Sequence, residues 1–392
     1  MEMKKYFLLF VLSITIFFFH AYYTRHAIYG DGNGYYSYAQ ALYFDKKLDF
    51  NPVYEFLGNF NGRTGIFSRI FWDTSYTETG VIRQNPYLIG TGIIWLPSML
   101  FISIINSVFN LGADRFNLIY ELGPGITGII LVISGLYFLE KYLFNFFKKD
   151  ITQPTILTLF LASNLLYYTA FEPALSHQPA FFLVSFLLYW TYKLKPKSVN
   201  FLILGVLCGL LAITRIADTF LLIPVFWQVW KARPSLKHLY VFLISLFIVI
   251  SPQLLNQYLM YGNAFSNPYL TGKSGIWQFN PIHLIEFLFS MKRGVFFWTP
   301  LFLVGVMGLI KSRSWINLFT VALLWVICSS WSSYLSAGFG QRFVFSSIPY
   351  FAFGISSIFS KLNSRKSFYL ISINTFWNLL LLVGFYMLKL GK

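Results

Sequence analysis

The residues best suited to chemistry lie near the start of the chain, where Tyr29-Gly30-Asp31-Gly32-Asn33-Gly34-Tyr35-Tyr36 sets one carboxylate among three glycines. Glycine lets the backbone turn tightly and lets a substrate come close. Asp31 is therefore a candidate functional carboxylate that a substrate can approach. Its plainer reading is a cap for a helix beginning near Tyr35. Asp31, Asp45, Asp49, Glu55, Asp73 and Glu78 put six of the chain's 14 acids into this region. A second carboxylate, Glu172, stands in Phe171-Glu172-Pro173-Ala174-Leu175-Ser176-His177-Gln178-Pro179 with no basic residue near it in sequence. His177, beside a Ser where a helix starts, suits a structural hydrogen bond as well as a substrate contact.

Four groups of cations recur beside apolar runs: Arg83, Arg215, Lys292 with Arg293, and Arg342. A guanidinium fork matches phosphate oxygens and keeps its charge when partly desolvated. Arg215 has a local alternative, an ion pair with Asp218 three residues on, and each cation alone would serve as an anchor to anionic lipid. Phosphate-loop, zinc-protease, nucleophile-elbow and Rossmann motifs are absent from the sequence. Nucleotide-driven chemistry does not fit.

The elements that must hold these side chains are read from composition. Of 392 residues, 56% are hydrophobic and only 11% charged, with a net charge of +16. Soluble domains carry about 25% charged residues, and disordered chains lack aromatics. The basic residues come in ones to threes between apolar runs, unlike a nucleic-acid surface, so no nucleic-acid partner is expected. Cys208 and Cys328 lie inside apolar runs and read as core residues. An all-α polytopic membrane protein fits, with no internal repeat and one domain over residues 1–392.

The first run, from Tyr6 to about Tyr23, lacks a small-residue cleavage site and reads as an uncleaved helix with its N-terminus in the cytoplasm. Further apolar stretches fall at 87–109, 117–144, 155–171, 178–192, 199–214, 216–230, 238–258, 294–310, 315–333, 343–360 and 367–390. The basic turns at 148–149, 193–197, 231–237, 311–313 and 361–366 are assigned to the cytoplasm. Residues 24–117 and 259–293 then form external loops. For the sidedness to close, 87–109, which contains Gly90, Gly92 and Pro97, must be re-entrant or interfacial, leaving about eleven crossings. The alternative is two full crossings and an inverted remainder. Three runs shorter than about 20 residues imply helix ends sunk below the outer surface, and so a cavity there.

The Gly-Asp-Gly-x-Gly-Tyr-Tyr element after one helix resembles the GT-C superfamily of integral-membrane glycosyltransferases, and in particular bacterial relatives of protein O-mannosyltransferases and of the lipid A aminoarabinose transferase. Arg83 to Pro97, Leu175-Ser176-His177, Phe289 to Pro300 and Gly338-Phe339-Gly340-Gln341-Arg342 are similar to further signatures of that family, in the same order. The chain departs from it at Arg83, where Lys is usual, and in lacking a second proline beside Pro86.

The resemblance implies a GT-C-like bundle in a bacterial cytoplasmic membrane, with its site on the external face. Asp31 would be the catalytic base, assisted by Glu172. The substrate-binding candidates are Tyr35, Arg83, His177, Arg215, Arg293, Gln341 and Arg342. The implied donor is a sugar on polyprenyl phosphate and the acceptor a glycan, lipid or protein, with membrane lipids around the helices. No metal is assigned, because the acid motif of the oligosaccharyltransferase branch is not evident. Competing classes are a flippase or other transporter of lipid-linked glycans, a membrane scaffold, and a glycan polymerase or ligase.

Overall fold

A computed structural model describes residues 2–58, 82, 84–266, 281–335 and 337–390. The secondary-structure elements among those residues are all helices, with no β-strand. The chain opens with α1 (Glu2–Thr24), α2 (Gly32–Gln40) and α3 (Asn51–Gly58), then α4 (Gly90–Val108) and α5 (Leu118–Leu143). It continues through α6 (Lys149–Leu161), α7 (Leu165–Ala170), α8 (His177–Thr191), α9 (Ser198–Thr214), α10 (Ile223–Lys231) and α11 (Leu236–Tyr261). The last elements are α12 (Leu284–Phe289), α13 (Val295–Trp298), α14 (Leu301–Lys311), α15 (Trp315–Ser329), α16 (Ile348–Phe359) and α17 (Ser364–Leu390).

Six helical segments among the described residues are long and apolar enough to cross a membrane: α1, α4, α5, α11, the segment Arg342–Phe359 containing α16, and α17. The chain has the make-up of a helical membrane protein. The number is below the eleven expected because several apolar runs are shorter or interrupted. The run 155–171 breaks between α6 and α7, where the Asn378 amide of α17 donates to the carbonyls of Leu161 (2.8 Å) and Ser163 (3.0 Å). Backbone freed within apolar surroundings needs such partners. Short 3₁₀ segments of about two turns, Ile216–Leu222 and Arg342–Ser347, precede α10 and α16, and each of those helices carries a proline in its first turn, Pro224 and Pro349. Proline fits there because the first-turn N–H has no helical partner to lose.

Outward faces carry large exposed apolar side chains, such as Phe7, Phe19, Leu243, Phe247, Phe376 and Val383. The inner faces build one main core around Phe181, Phe201, Phe302, Tyr350 and Phe351. Close approach replaces apolar burial as the main packing device where helices pack in lipid. Accordingly, α14 and α16 meet at Gly305, Gly308 and Gly354.

Polar contacts fix which ends match. Lys5 pairs with Glu140 at one end of α1 and α5. At the other end the Ala27 N–H donates to Glu121 (2.8 Å). The two helices are therefore antiparallel, and the chain leaves α1 and enters α5 at the same end of the bundle. Both ends of α4 touch elements of that same end. Gly90 rests on the backbone of Ile213 and Thr214, and the Asn106 amide donates to the Ala113 carbonyl (2.8 Å) and the Tyr120 hydroxyl (3.3 Å).

Candidate functional site

Asp31 sits where α2 begins, and the first question is whether it caps that helix. It does not: its side chain makes no capping hydrogen bond, and only its carbonyl receives the N–H groups of Gly34 and Tyr35. The carboxylate points elsewhere. Oδ2 accepts from Arg342 Nη2 at 2.6 Å and Oδ1 from the Tyr87 hydroxyl at 2.9 Å. The side chain is 32% exposed, so the carboxylate is held from two sides and open on a third.

Local sequence explains that aim. Gly30 takes a left-handed φ of +49° that swings the chain out of α1. At Gly34 the Tyr87 ring packs so closely that a Cβ would fall 2.1 Å from its Cδ2. Tyr87 is then fixed by Asn85, whose Oδ1 accepts from the Tyr87 N–H (3.1 Å) while its amide donates to the Gly34 carbonyl (2.9 Å).

The other acids of this region have different fates. Asp45 is gripped on both oxygens by Arg115, at 2.7 and 2.8 Å, and Asp49 pairs with Lys47. Glu55 is exposed. Asp73 and Glu78 lie outside the described residues.

A second cluster adjoins the first through Tyr35, which is buried in α2. The Ser176 hydroxyl donates to its phenol oxygen (2.9 Å). Burial, with the Asp31 carboxylate adding, pushes the Tyr35 phenol up to about 12, so it acts as a neutral hydrogen-bonding group. Arg215 reaches Ser176 Oγ (3.3 Å) and His177 Nε2 (3.5 Å) through Nη1, while its Nε donates to Asp218 (2.8 Å). The local ion pair expected for Arg215 is thus present, and it also turns the guanidinium toward the site. A guanidinium only donates, so His177 Nε2 accepts and Nδ1 carries the hydrogen. Nδ1 is buried with no partner among the described residues.

Glu172 is buried and accepts from the Tyr167 hydroxyl (2.7 Å). Arg293 donates to the Leu335 carbonyl (3.1 Å). Burial lowers its guanidinium from the ordinary value; the charge of Arg342 adds to that and Glu172 opposes it. Arg293 thus belongs to the same field as Arg342 and Glu172, while Lys292 beside it is exposed.

Gln341 does a different task. Its amide donates to the Tyr334 carbonyl (2.8 Å) and its Oε1 faces the Phe343 N–H, which shapes the turn that delivers Arg342. Arg83 lies outside the described residues.

Asp31 touches Arg342 directly, and Tyr35 is joined to Arg215 and His177 through Ser176, while the Tyr35 and Tyr87 rings, 4.9 Å apart, bring the two groups together, with Glu172 and Arg293 beside them. Reasoning from charge misses Tyr87 and Ser176, neutral residues that both touch the group directly. No three His, Cys, Asp or Glu side chains group as metal ligands among the described residues. No known family model, curated protein or solved structure matches the chain.

Proposed function

We propose that the protein is an inverting glycosyltransferase that moves a sugar from a polyprenyl-phosphate donor to an acceptor hydroxyl at the external face of a bacterial cytoplasmic membrane. The observation that carries this reading is the half-open Asp31 carboxylate bound to Arg342, with Arg215 in a neighbouring hydrogen-bonded group that meets it where the Tyr35 and Tyr87 rings pack. A carboxylate and separate guanidinium groups at one end of a membrane bundle suit a neutral hydroxyl nucleophile and an anionic leaving group.

In the reaction Asp31 accepts the acceptor's hydroxyl proton as that oxygen bonds to the anomeric carbon. The bond from that carbon to the phosphate oxygen breaks, its electron pair stays on the phosphate, and configuration inverts as in one-step glycoside displacement. The departing phosphate is a stable anion and needs cations rather than an acid, which Arg342, Arg215 and Arg293 supply. A phosphate arriving at Arg342 competes for N–H groups now turned to Asp31. Donor binding thereby frees a carboxylate oxygen of Asp31 to accept the hydroxyl proton. Glu172 assists from the neighbouring loop, and Tyr35 and His177 contact substrate.

The topology of this proposal has about eleven passes in a GT-C-like bundle. Interrupted pieces such as α6 with α7, the 3₁₀ turn with α10, and α13 with α14 each make one pass. The basic turns support it. Tyr192, near Lys193, meets Tyr142 and Phe146 at the Glu140 end of α5, and Phe353 meets Phe146 and Phe147 there. That end is cytoplasmic by the excess of Lys and Arg. α4, with both ends at the opposite face and Leu100, Phe101, Ile104 and Val108 exposed, lies in the outer interface.

The deciding experiment incubates purified full-length protein with labelled polyprenyl-phosphate sugar and an envelope extract. Label on acceptor together with free polyprenyl phosphate is expected. Label that only changes leaflet in vesicles would make the protein a flippase, and label only on growing lipid-linked glycan would make it a polymerase.

A further inference from the structure

The turn between α8 and α9 lies far from Asp31, at the end of the bundle where Tyr192 meets Tyr142 and Phe146 of the neighbouring α5 end. It carries Lys193, Lys195 and Lys197 at alternate positions, and all three line one open cavity of about 500 Å³, a size typical of small-ligand sites. No Asp or Glu lines it among the described residues. Like charges gathered without a counter-charge repel one another, and an anion bound among them removes that cost.

The turn is pinned to the helix that follows. The Lys195 carbonyl accepts from the Lys197 N–H (2.8 Å) and from the Asn200 amide (2.8 Å). α9 starts at this cavity, with Val199 and Asn200 in the lining, without a side-chain cap and with no acid in its first turn. The positive end of its dipole therefore adds to the lysine charge.

The way the cavity continues separates a lipid from a soluble anion. Trp190 of α8 stands in its wall and begins a ladder of half-buried rings, stacked on Phe186 (6.1 Å between centroids), which stacks in turn on Phe182 (5.9 Å). These residues are four apart, so the rings run along one face of α8 away from the lysines. On α9, Val199 is followed by Leu202 and Ile203, which also present exposed apolar side chains. Cations at the mouth and an apolar track leading from it match the two halves of a phospholipid, and a soluble anion would leave the track unused. We propose that this cavity binds an anionic glycerophospholipid, with its phosphate diester among Lys193, Lys195 and Lys197 and an acyl chain along the rings of Trp190, Phe186 and Phe182. Lysines act here as point charges toward phosphate, as in basic pockets that hold anionic headgroups at helix ends. The inference needs only a helical membrane protein and is independent of the glycosyltransferase reading.

The test uses purified full-length protein in a neutral detergent, read by native mass spectrometry, with equimolar dioleoyl phosphatidylglycerol and dioleoyl phosphatidylcholine as probes. Phosphatidylglycerol is expected to be retained over phosphatidylcholine by about fivefold or more, the scale of one lysine beside an anionic headgroup. Val199→Trp, which fills the cavity and keeps every charge, should abolish that preference. The triple variant Lys193→Gln, Lys195→Gln, Lys197→Gln should do the same, whereas Lys361→Gln, Arg365→Gln, Lys366→Gln, an equal loss of charge on another basic turn, should leave it intact. Equal retention of the two lipids, a preference that survives Val199→Trp, or equal loss in both triple variants would overturn the site. Excess inorganic phosphate at constant ionic strength should not displace the lipid; displacement would make this a site for free phosphate and overturn the lipid assignment. If the lysine variant fails to insert, Val199→Trp still decides.

Discussion

Two arginine–aspartate pairs lie close together at one end of this bundle and differ in almost every physical respect. Arg215 and Asp218 are three residues apart, and the Asp218 side chain is completely buried. Arg342 and Asp31 are 311 residues apart, and Asp31 keeps 32% of its surface open. Both arginines stand at the start of a 3₁₀ turn that leads into a helix with a first-turn proline. The same local device therefore delivers both guanidinium groups. What differs is the partner: a sealed carboxylate makes a strut, and an open one leaves an oxygen that a ligand can reach.

Breaking the open pair should show mainly in turnover. Asp31→Asn should lower transfer by about 10²- to 10⁴-fold, the range for a lost general base, with binding of the lipid donor retained in a filter assay. Arg342→Ala should cost about 10²- to 10³-fold in kcat/KM, as for a lost charge-stabilising donor. Breaking the sealed pair should show first in stability. Arg215→Met leaves a buried carboxylate without its cation, which costs about 3–5 kcal/mol, and the double variant Arg215→Met with Asp218→Leu should recover most of the melting temperature. The comparison fails if Arg342→Ala unfolds the protein while Arg215→Met only slows it.

A smaller effect sharpens the picture. Tyr87→Phe removes one neutral hydrogen bond from Asp31 and should change kcat by about two- to tenfold. Least costly to the protein, a cysteine at Ala113 should react with a membrane-impermeant thiol reagent added outside. Protection there with reaction only from the cytoplasmic side would invert the topology around α4.

The sealed pair was legible because its partners are one helical turn apart. The open pair was not, since nothing local links residue 31 to residue 342; only the shared face suggested that their elements meet. Helix positions followed from hydropathy, but the break between α6 and α7 did not, because its freed carbonyls are satisfied by Asn378 of α17. Asp31 as a helix cap was a fair expectation from its position, and the competing Arg342 and Tyr87 contacts override it.

The separation of Asp31 from Arg342 also sets a schedule for the newly made protein. Chains grow at about 5–20 residues per second, so the 311 residues between the partners correspond to roughly 15–60 seconds of synthesis. During that interval Asp31 already follows a completed α1 while Arg342 is not yet synthesised. On the proposed mechanism, an intermediate truncated before Arg342 would carry Asp31 and most of the bundle but not the guanidinium proposed to hold the leaving group, and so be silent. Completion of the Asp31–Arg342 pair is thereby tied to near-completion of the chain, so that, on the function proposed above, partly inserted protein would not draw on lipid-linked sugar.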